Sequence, residues 1–134
     1  MSSHAVKASS HGRPGVLIVD QHEVSRAAYT ALLRTEGVKV VASVALGCEA
    51  IAAAAEHTPD IAVVDVPPGD TRSLDTVHRL QALAYGPAVV LTSSANRSKL
   101  CVPLEGLRFV AKADICAESL LRASGWLSAS RQFE

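Results

Sequence analysis

Thr58-Pro59-Asp60-Ile61-Ala62-Val63-Val64-Asp65 holds an apolar run that stops at a carboxylate, and the loop formers Pro67-Pro68-Gly69 follow closely. A short unbroken apolar run between such breakers reads as a strand buried on both faces. Strands of that kind belong to parallel sheets covered by helices. Three other runs end in the same way. Val16-Leu17-Ile18-Val19 ends at Asp20, Ala88-Val89-Val90-Leu91 at Thr92, and Phe109-Val110-Ala111 at Lys112. As parallel strands, the four would set two carboxylates, a hydroxyl and an ammonium along one sheet edge. Open α/β folds bind their ligands outside the carboxyl ends of the strands. That combination of groups suits a metal ion and a phosphoryl group.

Helical patterns alternate with the runs. After Asp20, Val24, Ala27, Ala28, Ala31 and Leu32 recur at helical spacing, and Gly37 stands where a helix would stop. Val38 to Val44 is β-branched and strand-like. Ile51, Ala54 and Ala55 share one face of a second helix ending near Thr58-Pro59. Leu74, Val77, Leu80 and Ala84 mark a third, which Gly86-Pro87 breaks. Leu107 to Ala111 is expected as the fifth strand, and a last helix from about Ile115 to Ser128, weakened late by Gly125. Five such βα repeats call for one parallel sheet with helices on both faces.

At 134 residues there is room for one core. Hydrophobic content is 49%, charged content 19% and formal net charge zero, so nothing marks an electrostatic nucleic-acid binder. Cys48, Cys101 and Cys116 show no metal or redox spacing and read as buried, reduced thiols. No stretch is long and apolar enough for a signal peptide or a membrane span. Residues 1–14 read as a disordered leader, 15–130 as the domain and 131–134 as a tail. The phosphate loop, the dinucleotide fingerprint and the nucleophile elbow are absent, which argues against an independent enzyme.

The order of these motifs resembles the response-regulator receiver domain of two-component signalling, from about Pro14 to Ser128. Val16 to Glu23 is similar to that family's strand and acid-pair start, and Thr58 to Asp65 to the approach to its phosphoacceptor. Val89 to Ser93 and Gly106 to Lys112 are similar to its fourth and fifth strands. The resemblance implies a flavodoxin-like three-layer sandwich, a parallel sheet of order 2-1-3-4-5 with five helices. It also implies a cytoplasmic phosphoacceptor, at most self-catalysing its own phosphorylation and dephosphorylation. Asp65 would take the phosphoryl group from a histidine kinase or a small acyl phosphate. Mg2+ would be held by Asp20, Asp65 and the backbone carbonyl of Pro67, with Gln21 the weakest candidate ligand. Lys112 would pair with Asp65 and then with the phosphoryl oxygens. Thr92 and Phe109 would be the switch pair, with Phe109 largely buried even without phosphate. The surface of the fourth helix, fifth strand and fifth helix would carry partner or homodimer contacts, with no direct nucleic-acid or membrane contact.

The chain departs from the family in three places. Gln21 stands where a second acid is usual, which removes a formal charge from the metal site. Prolines come two and three residues after Asp65 rather than four, and a proline offers no N–H to a phosphoryl oxygen. Pro103 truncates or distorts the short fourth helix expected over Ser94 to Glu105. Each site residue also has a plain structural reading. Asp20 with Glu23 matches a capping box, Asp65 could form a turn, and Thr92 could start a helix. Lys112 could be solvated, Phe109 core, and His22 a helix-start residue. A phosphoacceptor switch and a pseudo-receiver, an interaction module working without phosphorylation, both remain open at this point.

Overall fold

The apolar runs become strands, and the computed structural model, which describes residues 13–95 and 107–126, joins them into one sheet. The strands are β1 (Gly15–Val19), β2 (Lys39–Val44), β3 (Ile61–Asp65), β4 (Ala88–Thr92) and β5 (Arg108–Phe109). All neighbours are parallel, in the order β2-β1-β3-β4-β5. The helices are α1 (Glu23–Thr35), α2 (Gly47–His57), α3 (Arg72–Gln81) and α4 (Ala117–Ser124), with a 3-10 turn at Lys112–Asp114. The expected short helix over Ser94 to Glu105, with Pro103 and Cys101, falls almost wholly outside the described residues. So do the leader and the tail.

Two apolar clusters fill the two faces. One joins Val16, Ile18, Val63, Val90 and Val110 of the sheet side to Tyr29 and Leu33 of α1 and Leu120 of α4. The other joins Leu17, Val19, Val64 and Leu91 to Ala50 and Ala54 of α2 and Val77 and Leu80 of α3. Burying each larger side chain contributes about 1.5–3 kcal/mol, so the sheet is the stable frame of the molecule. Alternation along the strands then positions the polar ends. Asp20, Asp65 and Thr92 stand two residues beyond Ile18, Val63 and Val90, and a strand repeats its direction every two residues. All three therefore belong to the face covered by α1 and α4.

Four expectations are corrected. The face of α1 expected to be apolar and inward, Val24, Ala27, Ala28, Ala31 and Leu32, is exposed. Tyr29, Thr30 and Leu33 are buried instead. Strand β5 is two residues long, although Val110 N–H donates to Leu91 O at 2.9 Å and Lys112 N–H to Ser93 O at 3.0 Å. The chain thus stays beside β4 as far as Lys112. Gly125, at φ +84°, ends α4 at Ser124 in the left-handed conformation that glycine adopts freely, and positions 127–128 of the expected helix lie outside the described residues. Cys48 is exposed, and the half-buried Cys116 caps α4 through Sγ, which accepts from Ser119 N–H at 3.4 Å.

Candidate functional site

Strands β1 and β3 deliver Asp20 and Asp65 to adjacent positions, and Lys112 arrives from the turn after β5. Its Nζ lies 3.0 Å from Oδ2 of Asp20 and 2.9 Å from Oδ1 of Asp65. Both carboxylates are almost fully buried, and the lysine side chain is only 15% exposed. A lysine between two buried carboxylates forms a charge-assisted pair of bonds in a region of low dielectric. The solvated reading of Lys112 is therefore wrong for this structure.

Asp20 is held more closely than any other group at the site. Its Oδ1 accepts from the His22 N–H at 2.8 Å, and its Oδ2 accepts from Tyr29 OH at 2.8 Å and Ser25 Oγ at 3.2 Å. Arg26 donates to the Asp20 carbonyl at 2.7 Å. Glu23 takes no part, because α1 starts after His22 and the Asp20 carboxylate closes a turn; the capping-box reading fails. Burial pushes the Asp20 carboxyl up, but the bonds from His22 N–H, Tyr29 and Lys112 outweigh it and hold the group below its ordinary value. For Asp65, burial wins. With the neighbouring Asp20 charge it raises the carboxyl above its ordinary value despite the Lys112 bond. Burial and the Asp20 bond likewise push the Tyr29 hydroxyl up, so it stays protonated as a donor.

This inward row of donors on α1 accounts for its unexpected orientation. Ser25, Arg26 and Tyr29 serve the Asp20 residue, and a helix cannot turn its apolar stripe inward at the same time. Tyr29→Phe removes one bond to a buried charge, a loss expected to cost about 1.5–3 kcal/mol. Urea denaturation of the two proteins measures it, and an unchanged midpoint would show that Tyr29 does not secure Asp20.

The remaining expected residues surround these. Thr92 pairs in register with Asp65; its Oγ1 is fully buried and has no hydrogen-bond partner among the described residues. Gln21 is exposed and, with Pro67, lines a cavity of about 300 Å³ that also reaches Asp20, Asp65, Asp70 and Arg72. The Pro67 carbonyl accepts from Asp70 N–H at 3.1 Å, which leaves its second lone pair for another partner. Val66 N–H is taken by Thr92 O at 2.8 Å, and neither Pro67 nor Pro68 carries an N–H. Phe109 is partly buried and packs against the second cluster. His22 was expected only to start a helix. It does so, but its Nδ1 also lies 3.2 Å from Oδ1 of Asp20 and 3.5 Å from Oδ2 of Asp65.

The donor set fits a divalent cation: two buried carboxylates, an amide oxygen and a backbone carbonyl around one cavity. With Gln21 neutral, the fit is weaker in charge than two adjacent acids would give. Among the described residues no helix is long and apolar enough to cross a membrane.

Comparison with known proteins agrees with this fold. The sequence profile described as the response regulator receiver domain matches residues 16–112. A Pseudomonas aeruginosa protein, named as a candidate transcriptional regulator, is 29% identical over 116 residues, covering 84% of this chain and 56% of the relative. The transcriptional regulatory protein PdtaR of Mycobacterium tuberculosis is 30% identical over 82 residues, 61% of this chain and 40% of the relative. The chain thus spans about half the length of these relatives or less. Among solved structures, the signal receiver domain of a modulated diguanylate cyclase from Desulfovibrio desulfuricans superposes with a TM-score of 0.66 at 25% identity. That match covers 90% of this chain and 98% of the other. A CheY-like response regulator receiver domain from Methylobacillus flagellatus gives 0.65 at 23% identity, covering 87% and 98%. With a parallel 2-1-3-4-5 sheet and two buried aspartates bridged by a lysine at its edge, the chain belongs to the response regulator receiver domain family.

Proposed function

We propose that this receiver domain is a phosphoacceptor switch in which Asp65 takes a phosphoryl group from a histidine kinase. The observation that carries the reading is Lys112, held at 2.9 Å and 3.0 Å between the Asp65 and Asp20 carboxylates, beside a buried Thr92 hydroxyl without a partner. A buried polar group left unpaired costs free energy, and a phosphoryl oxygen on Asp65 would supply the missing acceptor. In the reaction a carboxylate oxygen of Asp65 bonds to phosphorus while the bond from phosphorus to the donor breaks, and the donor leaves with that electron pair. Asp20, Asp65 and the Pro67 carbonyl would hold Mg2+, which offsets the charge of the phosphoryl oxygens. Lys112 shifts from the carboxylate to the new phosphoryl oxygens without leaving the pocket.

The names of the matched relatives favour an output in transcriptional control, through a partner or a further domain, in the cytoplasm. One observation favours the second reading, an interaction module that is not phosphorylated. The two residues that follow Val66 have no N–H to offer a phosphoryl oxygen. Intact-mass measurement after incubation with acetyl phosphate and Mg2+ separates the readings. The switch gains one phosphoryl group, mapped to Asp65 by peptide analysis. Absence of any gain at millimolar Mg2+ sinks the proposal and leaves the interaction module.

A further inference from the structure

His22 has no part in the reaction just described, yet its imidazole stands at the carboxylates. The two oxygens nearest Nδ1, Oδ1 of Asp20 and Oδ2 of Asp65, are those Lys112 leaves; its Nζ faces Oδ2 of Asp20 and Oδ1 of Asp65. The carboxylates thus present one oxygen each to the ammonium and one each to the imidazole. The spacing on the imidazole side is that of a shared coordination sphere. With bonds of ~2.1 Å, neighbouring donors stand about 3.0 Å apart at a right angle and about 3.4 Å at the tetrahedral angle. The nitrogen lies 3.2 Å and 3.5 Å from the two oxygens, and suitable donor atoms of all three residues lie within 4.8 Å of one another.

Other features favour a ligand here. The His22 backbone is fixed by its N–H bond to Asp20 Oδ1, at 2.8 Å, so the ring is placed by the same carboxylate it would share an ion with. Its side chain is 62% exposed, which leaves the outer positions of an ion open to water or a phosphoryl oxygen.

Two carboxylates and an imidazole differ from the all-oxygen shell that Mg2+ demands. Imidazole nitrogen suits borderline ions of the Zn2+ and Co2+ class, whereas carboxylate, carbonyl and water suit Mg2+. Gln21, exposed and neutral, offers an amide oxygen but not the charge of a second acid. We infer that His22 Nδ1 is a direct metal ligand beside Asp20 and Asp65, and that it tunes this site toward a Zn2+- or Co2+-class ion at the expense of Mg2+. The inference rests on the proposed use of Asp20 and Asp65 as metal ligands.

Calorimetric titration of the full chain with Mg2+, Co2+ and Zn2+, beside His22→Asn and His22→Asp, tests it. Asparagine is a good helix N-cap, so the first variant keeps the start of α1. Expected is a loss of Co2+ and Zn2+ affinity in His22→Asn of at least the roughly 10–100-fold that removal of an outer-shell partner costs. The ratio of Zn2+ to Mg2+ affinity should fall with it, because asparagine puts an amide oxygen where the imidazole nitrogen stood. His22→Asp should gain Mg2+ affinity. In the parent, Zn2+ should shift the Nδ1 resonance of His22 in nitrogen-detected NMR. Equal Zn2+ and Co2+ affinities in parent and His22→Asn, or an unshifted Nδ1, would overturn the inference. Phosphorylation by acetyl phosphate in Mg2+ alongside such equal affinities leaves the switch standing and removes only the histidine ligand. His22-dependent Co2+ binding without any phosphorylation does the reverse.

Discussion

Lys112→Met lowers the stability of the metal-free protein by about 3–5 kcal/mol, the cost of removing one partner from a buried ionic network. Methionine keeps an unbranched stem of similar length, so the loss reports charge rather than packing. The lysine side chain is 15% exposed and the two carboxylate side chains 0% and 3%, so water screens the interaction little. The partners are unequally provided for. Without Lys112, Asp20 keeps the His22 N–H, Ser25 and Tyr29, while among the described residues Asp65 keeps only the His22 ring at 3.5 Å. Burial pushes the Lys112 ammonium down, but the bonds to Asp65 and Asp20 raise it above 10.5. A base raised on folding contributes stability that is complete below its unfolded value and lost as pH rises through the folded one. The gap between parent and variant is therefore fully present at neutral pH and narrows above pH 10.5. A divalent ion should stabilise the variant more than the parent, because it replaces the missing positive charge. Urea denaturation at pH 7 and pH 11, with and without metal, measures all three effects. A loss below about 1 kcal/mol at neutral pH would place the pair with exposed ion pairs and remove Lys112 from the core of the site.

The strands of this protein were legible because parallel-sheet burial demands apolar residues on both faces, and Ile61 to Val64 or Ala88 to Leu91 satisfy nothing else. The polar ends followed from the same reading, since alternation beyond Ile18, Val63 and Val90 fixes the direction of Asp20, Asp65 and Thr92. Helix α1 was misread for a physical reason. Its apolar residues Val24, Ala27, Ala28, Ala31 and Leu32 form a helical stripe, and periodicity alone turns such a stripe inward. The buried Asp20 carboxylate instead draws Ser25 and Tyr29 to itself, and α1 rotates to satisfy a charge. Helix periodicity carries no record of that demand, which arises only once β1 has ended beside α1. His22 was hidden in the same way. Its ring direction depends on a turn closed by Asp20, and no repeat in the sequence encodes it. Cys116 illustrates a smaller version, a thiol expected in the core that serves as a helix cap.

Asp65→Asn abolishes the phosphoryl mass gain and at the same time raises the melting temperature of the metal-free protein at neutral pH. The loss of labelling follows from the proposed role of Asp65, because a neutral amide oxygen is no nucleophile toward a phosphoryl group. The gain in stability follows from the Asp65 environment. Burial and the Asp20 charge raise its carboxyl above the ordinary 3.8 even with Lys112 at 2.9 Å. The folded chain therefore holds the Asp65 proton more tightly than the unfolded chain does. Where the folded state binds more protons, stability falls as pH rises, here from about 3.8 up through the folded value of the carboxyl. Above that window the whole penalty of the buried charge is present. Asparagine removes it, keeps an oxygen for the Lys112 ammonium, and leaves that ammonium its second contact with Asp20 at 3.0 Å. The variant should consequently melt higher than the parent at pH 7, and the difference should shrink toward pH 3. A phosphoryl gain that persists in Asp65→Asn would move the acceptor elsewhere. A variant that melts lower at pH 7 would mean that the Lys112–Asp65 pair outweighs its own desolvation. Loss of labelling with a rise in melting temperature is the signature of a carboxylate kept buried and charged for chemistry at the expense of stability.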